Sequence, residues 1–111
     1  MQAQIIKTSE SDEYYFEEGC FILELSNTAQ DPQLSIARAR LKTGKSTRLH
    51  RLSNLIERYV ILSGQGSVEV GDLQEQTVSA GNVVIIPPHC AQKITNTGED
   101  DLVSRALHSA F

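Results

Sequence analysis

The apolar residues of this chain occur in short bursts and almost never recur at the spacing of one helix face. The bursts span residues 20–25, 34–41, 56–62, 67–70, 82–86, 91–95 and 102–107. Turn-forming residues stand between them, for example Gly71-Asp72 and Pro87-Pro88. Many short strands at near-regular spacing predict an all-β sandwich or barrel.

Two of the bursts contain runs that are apolar at consecutive positions, residues 59–62 and 83–86. Side chains alternate between the two faces of a strand, so both faces of these strands should be covered. A closed or double-sheet barrel with a dimer interface on one outer face would cover them. We therefore expect a homodimer.

Composition limits the size and the partners of the protein. A chain of 111 residues is long enough for a single domain, here residues 1–111. The formal net charge is −4 and the sequence contains no basic stripe, which argues against nucleic acid or an anionic membrane as a partner. The apolar runs are too short to span a bilayer and no signal segment is evident, so a cytoplasmic protein with reduced Cys20 and Cys90 is expected.

Strand parity indicates which polar side chains share a face. The sets that share a face are Arg48, His50 and Leu52; Glu57, Tyr59 and Ile61; and Gln92, Ile94 and Asn96. If His50, Glu57 and Gln92 all face inward, three polar groups converge inside an apolar barrel. Such groups must bind each other, water, a metal or a ligand, because an unpartnered buried polar group is costly.

Residues 44–64, GKSTRLHRLSNLIERYVILSG, resemble the first motif of the cupin family, G-x5-H-x-H-x3or4-E-x6-G. Gly44, His50, Glu57 and Gly64 fall in register, and Leu52 occupies the position of the second histidine. Residues 81–96, GNVVIIPPHCAQKITN, resemble the second motif, G-x5-P-x-G-x2-H-x3-N. There Gly81, Pro87 and Asn96 match, whereas His89 replaces a glycine and Gln92 replaces a histidine.

The resemblance implies a jelly-roll-type cupin β-barrel of two antiparallel sheets, with a site inside the mouth of the barrel. Cupins usually bind a metal through three His and one Glu, so the resemblance implies His50 and Glu57 as retained metal ligands. Leu52 cannot ligate. Gln92 could supply an amide oxygen to one weakly held divalent ion, such as Zn, Fe, Mn or Ni, or could instead hydrogen-bond Glu57 or His50 in a site that holds only water.

Several other residues are candidates for the ligand pocket. Arg48 could fix a carboxylate or phosphate of a small ligand, Tyr59 could line the cavity, and His89 could lie at the barrel rim. Arg48 could equally be an exposed residue ahead of the strand, and Tyr59 an ordinary core aromatic. Whether His89, Cys90 or His108 joins the site is left open. Arg38 and Arg40 share a face that is either solvent-exposed or part of the pocket.

Two classes of function fit these features. The first is a metal-dependent enzyme for a small molecule, of dioxygenase, isomerase or lyase type. The second is a non-catalytic, metal-free cupin module that binds a ligand or regulates a partner. The sequence offers no G-x-S-x-G elbow and no phosphate-binding glycine loop, which argues against hydrolase chemistry and nucleotide binding.

Overall fold

The structure, a computed structural model, describes residues 1–110, and β-strands make up nearly all of its regular elements. A 3-10 helix, Glu10–Asp12, precedes the strands. The strands are β1 Tyr14–Glu17, β2 Cys20–Ser26, β3 Leu34–Leu41, β4 Ile56–Ser63, β5 Gln65–Val70, β6 Gln76–Ser79, β7 Val83–Ile86, β8 Gln92–Asn96 and β9 Leu102–Ser109. Within residues 1–110, no helix has the length and apolar character needed to cross a membrane.

The strands form two antiparallel sheets that enclose a common core. The larger sheet has six strands in the order β1-β2-β3-β9-β4-β7, and the smaller has three in the order β6-β5-β8. The core contains Ile61 and Leu102 of the larger sheet and Val68 and Ile94 of the smaller one, so apolar side chains of both sheets meet between them. The predicted all-β architecture of two antiparallel sheets is confirmed.

Burial alternates along β4 and β8 as the sequence parity predicts. The inward residues of these strands are Glu57, Tyr59, Ile61, Gln92, Ile94 and Asn96. Because β4 lies in the larger sheet and β8 in the smaller, their inward faces meet across the barrel interior. This arrangement brings two of the three polar candidates, Glu57 and Gln92, onto facing walls.

Backbone pairing outside the named strands brings the third candidate to the same place. His50 lies in the connection between β3 and β4, where its N–H donates to the Gln92 carbonyl over 3.1 Å. The Gln92 N–H donates back to the His50 carbonyl over 2.8 Å. Ser46 and Thr95 form a second antiparallel bridge, so this connection extends the smaller sheet along β8.

The motif residue Asn96 organises the turn that follows β8. Its Nδ2 donates to the carbonyls of Leu41 and Asp100 over 2.8 and 2.9 Å, and its Oδ1 accepts the Gly98 N–H over 2.9 Å. Asn96 is only 1% exposed, so these bonds satisfy a buried amide. The residue therefore holds the β8–β9 turn against β3.

Arg38 and Arg40 lie on the outer face of β3, because the alternating residues Ala37 and Ala39 face the barrel interior. Both arginines bind Glu13, with Arg40 Nη2 at 2.6 Å and Arg38 Nη2 at 2.9 Å from its carboxylate oxygens. These bonds hold the pKa of Glu13 at about 2, well below its ordinary value. The question left open by the sequence is thus resolved: these arginines anchor the N-terminal segment outside the pocket.

The sequence pattern missed β1 and β6. β1 reads YYFE with no alternation and is largely exposed, and β6 reads QTVS with Val78 as its one buried residue. On β7, Val83 and Ile85 are 54% and 60% exposed in the single chain, which leaves this face available for the dimer interface that the sequence predicts. The covering of this face by a second copy stays a prediction.

Candidate functional site

A cavity of about 340 Å³ lies inside the barrel, and its walls are mainly apolar. Ile22, Ala39, Leu41 and Leu102 are among the residues that form these walls. Glu57, Tyr59, His50 and His108 add polar atoms to one region of the lining. A mainly apolar cavity with a few convergent polar groups is typical of small-molecule sites.

Five polar side chains form one hydrogen-bonded group at this cavity, which we call the polar cluster: His50, Glu57, Tyr59, Gln92 and His108. The Gln92 amide nitrogen is central to it. Its Nε2 lies 2.8 Å from His50 Nε2, 2.8 Å from Glu57 Oε1 and 3.0 Å from Tyr59 Oη. Gln92 is 2% exposed and is not itself part of the cavity lining. It therefore contacts the lining residues His50, Glu57 and Tyr59 from the side that faces away from the cavity.

The bonds of His50 define which ring nitrogen carries hydrogen. Nδ1 lies 2.7 Å from the Arg48 carbonyl, which can only accept, so Nδ1 donates. In the neutral ring Nε2 is then an acceptor, and it receives a hydrogen from Gln92 Nε2. The backbone pairing of His50 with Gln92 fixes this arrangement from both sides.

Glu57 accepts from two directions. Oε1 accepts from Gln92, and Oε2 is hydrogen-bonded to His108 Nε2. Glu57 is 4% exposed, so these two donors are the main compensation for burying its carboxylate. Burial and the neighbouring Glu57 charge raise the pKa of Tyr59 well above its ordinary value, which keeps the Tyr59 phenol protonated.

The sequence analysis left His108 open, and the structure places it in the polar cluster. Its position follows from strand pairing, since His108 on β9 is the direct antiparallel partner of Glu57 on β4. A signal for this was present in the alternation of β9, where Leu102, Ser104 and Ala106 are all buried. The same face continues to His108, which therefore points into the barrel.

Two of the predicted pocket residues lie away from the cavity lining. The Arg48 side chain is 82% exposed and its Nε donates to Glu17 over 3.0 Å, so it lies on the rim. The His89 side chain is exposed on the turn between β7 and β8, where its backbone adopts φ 65° in place of the motif glycine. Neither residue is among those that line the cavity, since strand parity does not extend through a loop and a tight turn.

The other predicted residues lie where the parity indicated. Leu52 and Tyr59 line the cavity, as do His50 and Glu57. Leu52 also accepts the His89 N–H at its carbonyl over 2.7 Å, which ties the first motif to the turn of the second. The side chain that replaces the second motif histidine is therefore an apolar part of the cavity wall.

The cysteines carry no reactive signature. Both are free thiols; Cys20 is buried and Cys90 is half-buried. Burial raises the pKa of the Cys20 thiol to about 11, so this cavity-lining residue stays protonated at neutral pH. Cys90 Sγ lies near Gly71 and is not among the residues that line the cavity.

In the arrangement described, the polar cluster does not form a metal shell. Gln92 presents its NH₂ group to His50 and Glu57, and an NH₂ group is a hydrogen-bond donor and not a metal ligand. Both Glu57 oxygens already accept hydrogen bonds, and Leu52 contributes only carbon. Across residues 1–110, His, Cys, Asp and Glu side chains form no group of three or more that could hold an ion.

The likeness to solved structures identifies the fold. A predicted oxalate decarboxylase of Thermotoga maritima superposes with a TM-score of 0.87 at 23% identity, covering 97% of this chain and 100% of that one. KdgF from Halomonas sp. gives 0.84 at 18% identity, covering 97% and 95%. An RmlC-like cupin family protein of Methanocaldococcus jannaschii with a double-stranded β-helix fold gives 0.74 at 17% identity, covering 99% and 93%.

Sequence comparison identifies the family. Uncharacterized protein MJ1618 of Methanocaldococcus jannaschii is 35% identical over 100 residues, which are 86% of this chain and 78% of that protein. A family model described as the cupin domain matches residues 37–104, which include both motifs in full. The jelly-roll fold and the resemblance inferred from the motifs are thus confirmed, and the chain belongs to the cupin domain family.

Proposed function

We propose that this cupin domain binds a small organic molecule inside its barrel without needing a metal ion. One observation carries the proposal: a cavity of about 340 Å³ has mainly apolar walls, and Glu57, His50 and His108 are among the polar groups that converge on it. Pockets for small molecules commonly have volumes of roughly 300 to 1,000 Å³ and this distribution of polarity. The ligand would place its apolar part against the walls and its polar group at the cluster.

The polar cluster can accept such a ligand while its internal bonds persist. An ionised carboxylate has about four lone-pair sites, and the bonds to Gln92 and His108 use two of those of Glu57. Each oxygen can therefore accept a further hydrogen from a ligand. Gln92 holds His50, Glu57 and Tyr59 in place beforehand, which reduces the ordering cost of binding.

A titration of chelator-treated protein tests this proposal. We expect small organic molecules from a fragment collection to shift backbone amide resonances of β4 and β9 in a saturable manner, in buffer with EDTA. The variant Ala39→Phe fills part of the cavity and should abolish these shifts. Ala29→Phe, in the exposed β2–β3 connection, is the matched control and should leave them unchanged.

A second candidate is the metal-dependent small-molecule enzyme that the family resemblance implies. It is favoured by one feature, that His50 Nε2 and Glu57 Oε1 face the same amide at equal distances of 2.8 Å. If the amide turned by half a rotation, Gln92 Oε1 would replace Nε2 at that point. His50, Glu57 and Gln92 would then be the ligands of one divalent ion, Zn, Fe, Mn or Ni, held weakly.

Elemental analysis distinguishes the two candidates. Untagged protein incubated with each metal and desalted should retain well under one ion per chain if the cavity works without metal. Retention near one ion per chain, lost in Glu57→Gln, would support the enzyme instead. The same preparations report on a substitution that restores the second motif histidine, Leu52→His, which should raise the retained metal.

The homodimer and the cytoplasmic location are part of this proposal. The homodimer is supported by the exposed apolar pair Val83 and Ile85 on the outer face of β7. Light scattering after gel filtration should give twice the chain mass of 12.2 kDa. The double variant Val83→Lys/Ile85→Lys should then elute as a monomer, and a wild-type monomer would contradict the dimer.

A further inference from the structure

Among residues 1–110, the carboxylates that line the cavity are not matched by guanidinium or ammonium groups in its lining. Three carboxylates, Glu17, Glu24 and Glu57, line it, and among the residues that the structure describes no Lys or Arg does so. This composition is unexpected for a site that would hold a carboxylate or phosphate, since such anions are bound by Arg, Lys or a metal ion. We infer that the cavity selects ligands whose polar group is a cation or a neutral hydrogen-bond donor, in particular a small primary amine with an apolar body.

The inference rests on the proposed function, and it adds the chemical class of the ligand. The three carboxylates do not contribute equally. Glu17 is compensated by Arg48, whose guanidinium lies 3.0 Å from Oε2. Glu24 lies on β2 with Tyr14 Oη donating to Oε1 over 3.4 Å, a long and weak bond. Glu24 therefore leaves most of its charge available at the exposed side of the cavity.

Glu57 is the second carboxylate available to a ligand, and it is the buried one. Its hydrogen-bond donors are a neutral amide, Gln92, and an imidazole, His108. Within the described residues no guanidinium or ammonium lies beside it, and its one ion-pair partner is His108, which is charged only if protonated. A ligand amine at this position would donate mainly to Glu57, because each Glu57 oxygen keeps a free lone pair whereas the acceptor nitrogen of His50 already accepts from Gln92.

The apolar walls determine the remainder of the ligand. Most of the remaining lining is apolar and carries no charged group, and it includes Cys20, Ile22, Leu41, Leu52, Leu102 and Ala106. An apolar environment strengthens the interaction between a ligand charge and Glu57, because the local dielectric is lower than that of water. The same environment makes an uncompensated anion beside Glu57 strongly unfavourable.

Three compounds of nearly equal shape test the inference: 2-phenylethylamine, 2-phenylethanol and 3-phenylpropionate. Dissociation constants are measured by amide NMR titration of EDTA-treated protein at neutral pH and moderate salt. We expect the amine to bind at least about tenfold more tightly than the carboxylate, with the alcohol between them. Saturable shifts should fall on β4 and β9.

Charge-removing variants locate the cause of the preference. Glu57→Gln and, separately, Glu24→Gln should each reduce the ratio of carboxylate to amine dissociation constants by at least about threefold. Glu99→Gln removes the same charge at the exposed β8–β9 turn and should leave the ratio unchanged. Glu24→Gln keeps the test available if Glu57→Gln fails to fold, because Glu24 is exposed.

The possible results separate this inference from the proposed function. If the carboxylate binds as tightly as the amine or more tightly, the charge selection is overturned and cavity binding stands. If all three compounds bind equally, the selection is also overturned. If none of the three produces a saturable shift in wild-type protein, both the selection and the proposed function are overturned.

Discussion

At the scale of single residues, Gln92 has the largest influence on the site. It replaces a motif histidine with a side chain that can donate two hydrogens, and acceptors on His50, Glu57 and Tyr59 surround its nitrogen. A histidine there would present a lone pair to a metal. In this chain, Gln92 therefore orients the neighbouring side chains at a site where the motif histidine would bind a metal.

We predict that Gln92→Leu destabilises the fold by about 2–3 kcal/mol, since it leaves the buried Glu57 and His50 acceptors without their donor. Urea denaturation monitored by circular dichroism measures the change in the free energy of unfolding. Gln74→Leu, on the exposed β5–β6 connection, is the control and should change stability by less than about 0.5 kcal/mol. Equal losses for the two variants would contradict the central role of Gln92.

The residue-scale description also shows the limits of sequence parity. Glu57, Tyr59 and Gln92 could be assigned to the interior because they lie within regular strands. Arg48 and His89 could not, because they lie in a loop and a turn where alternation does not hold. Alternation along β9 also predicts that His108 faces the interior. Its contact with Glu57 further requires the pairing of β9 with β4, which alternation within one strand does not specify.

At the scale of elements, the strands follow from the alternating bursts of apolar residues, and the turns depend on a few special positions. Gly64 joins β4 to β5 with φ 90°, a left-handed conformation that favours glycine. A Cβ at Gly64 would lie 2.5 Å from the Asp101 carbonyl oxygen and 2.9 Å from Leu102 Cα. Both conformation and close packing therefore select glycine there.

We predict that Gly64→Ala lowers the free energy of unfolding by more than Gly81→Ala does. Gly81 has nearly the same backbone angle, φ 92°, but a Cβ there would meet no atom within 4 Å. The Gly81 variant thus measures the conformational cost alone, about 1 kcal/mol. The Gly64 variant adds a clash with backbone that cannot move aside, for a total of about 3 kcal/mol or more. Equal thermal shifts in calorimetry would contradict this account of the turn.

The N-terminal segment is attached to the outer face of β3 by Glu13 and its two arginines, and this attachment should be sensitive to acid. The pKa of Glu13 is lowered from 4.5 to about 2 by its hydrogen bonds to Arg40 and Arg38. A carboxyl whose folded pKa is depressed contributes stability that is complete above pH 4.5 and is lost as the pH falls towards 2.

We therefore predict that Glu13→Gln reduces stability at neutral pH by about 1 kcal/mol and makes stability less dependent on pH in that acidic interval. Urea denaturation at a series of pH values measures both effects. Glu99→Gln, which removes an equal charge from the exposed β8–β9 turn, is the control and should retain the wild-type pH dependence. An unchanged acid profile for Glu13→Gln would show that the ion pairs do not anchor the segment.

At the scale of the whole molecule, the barrel combines a frame that contains the matching motif residues with an interior that departs from the motifs. The frame includes the motif residues Gly64 and Asn96, which hold turns and can be recognised in the sequence by their motif spacing. The interior depends on which side chains meet across two sheets. Glu24 of β2 and Glu57 of β4 line the same cavity, and only the folded topology places both there.

The central claim is that the cavity binds a small organic molecule without a metal ion, and one titration tests it most directly. EDTA-treated protein, shown by elemental analysis to be free of metal, is titrated with 2-phenylethylamine while amide resonances are recorded. We predict saturable shifts on β4 and β9 that disappear in Ala39→Phe and persist in Ala29→Phe. Shifts that occur only after a divalent metal is restored, or that Ala39→Phe leaves intact, would contradict the claim.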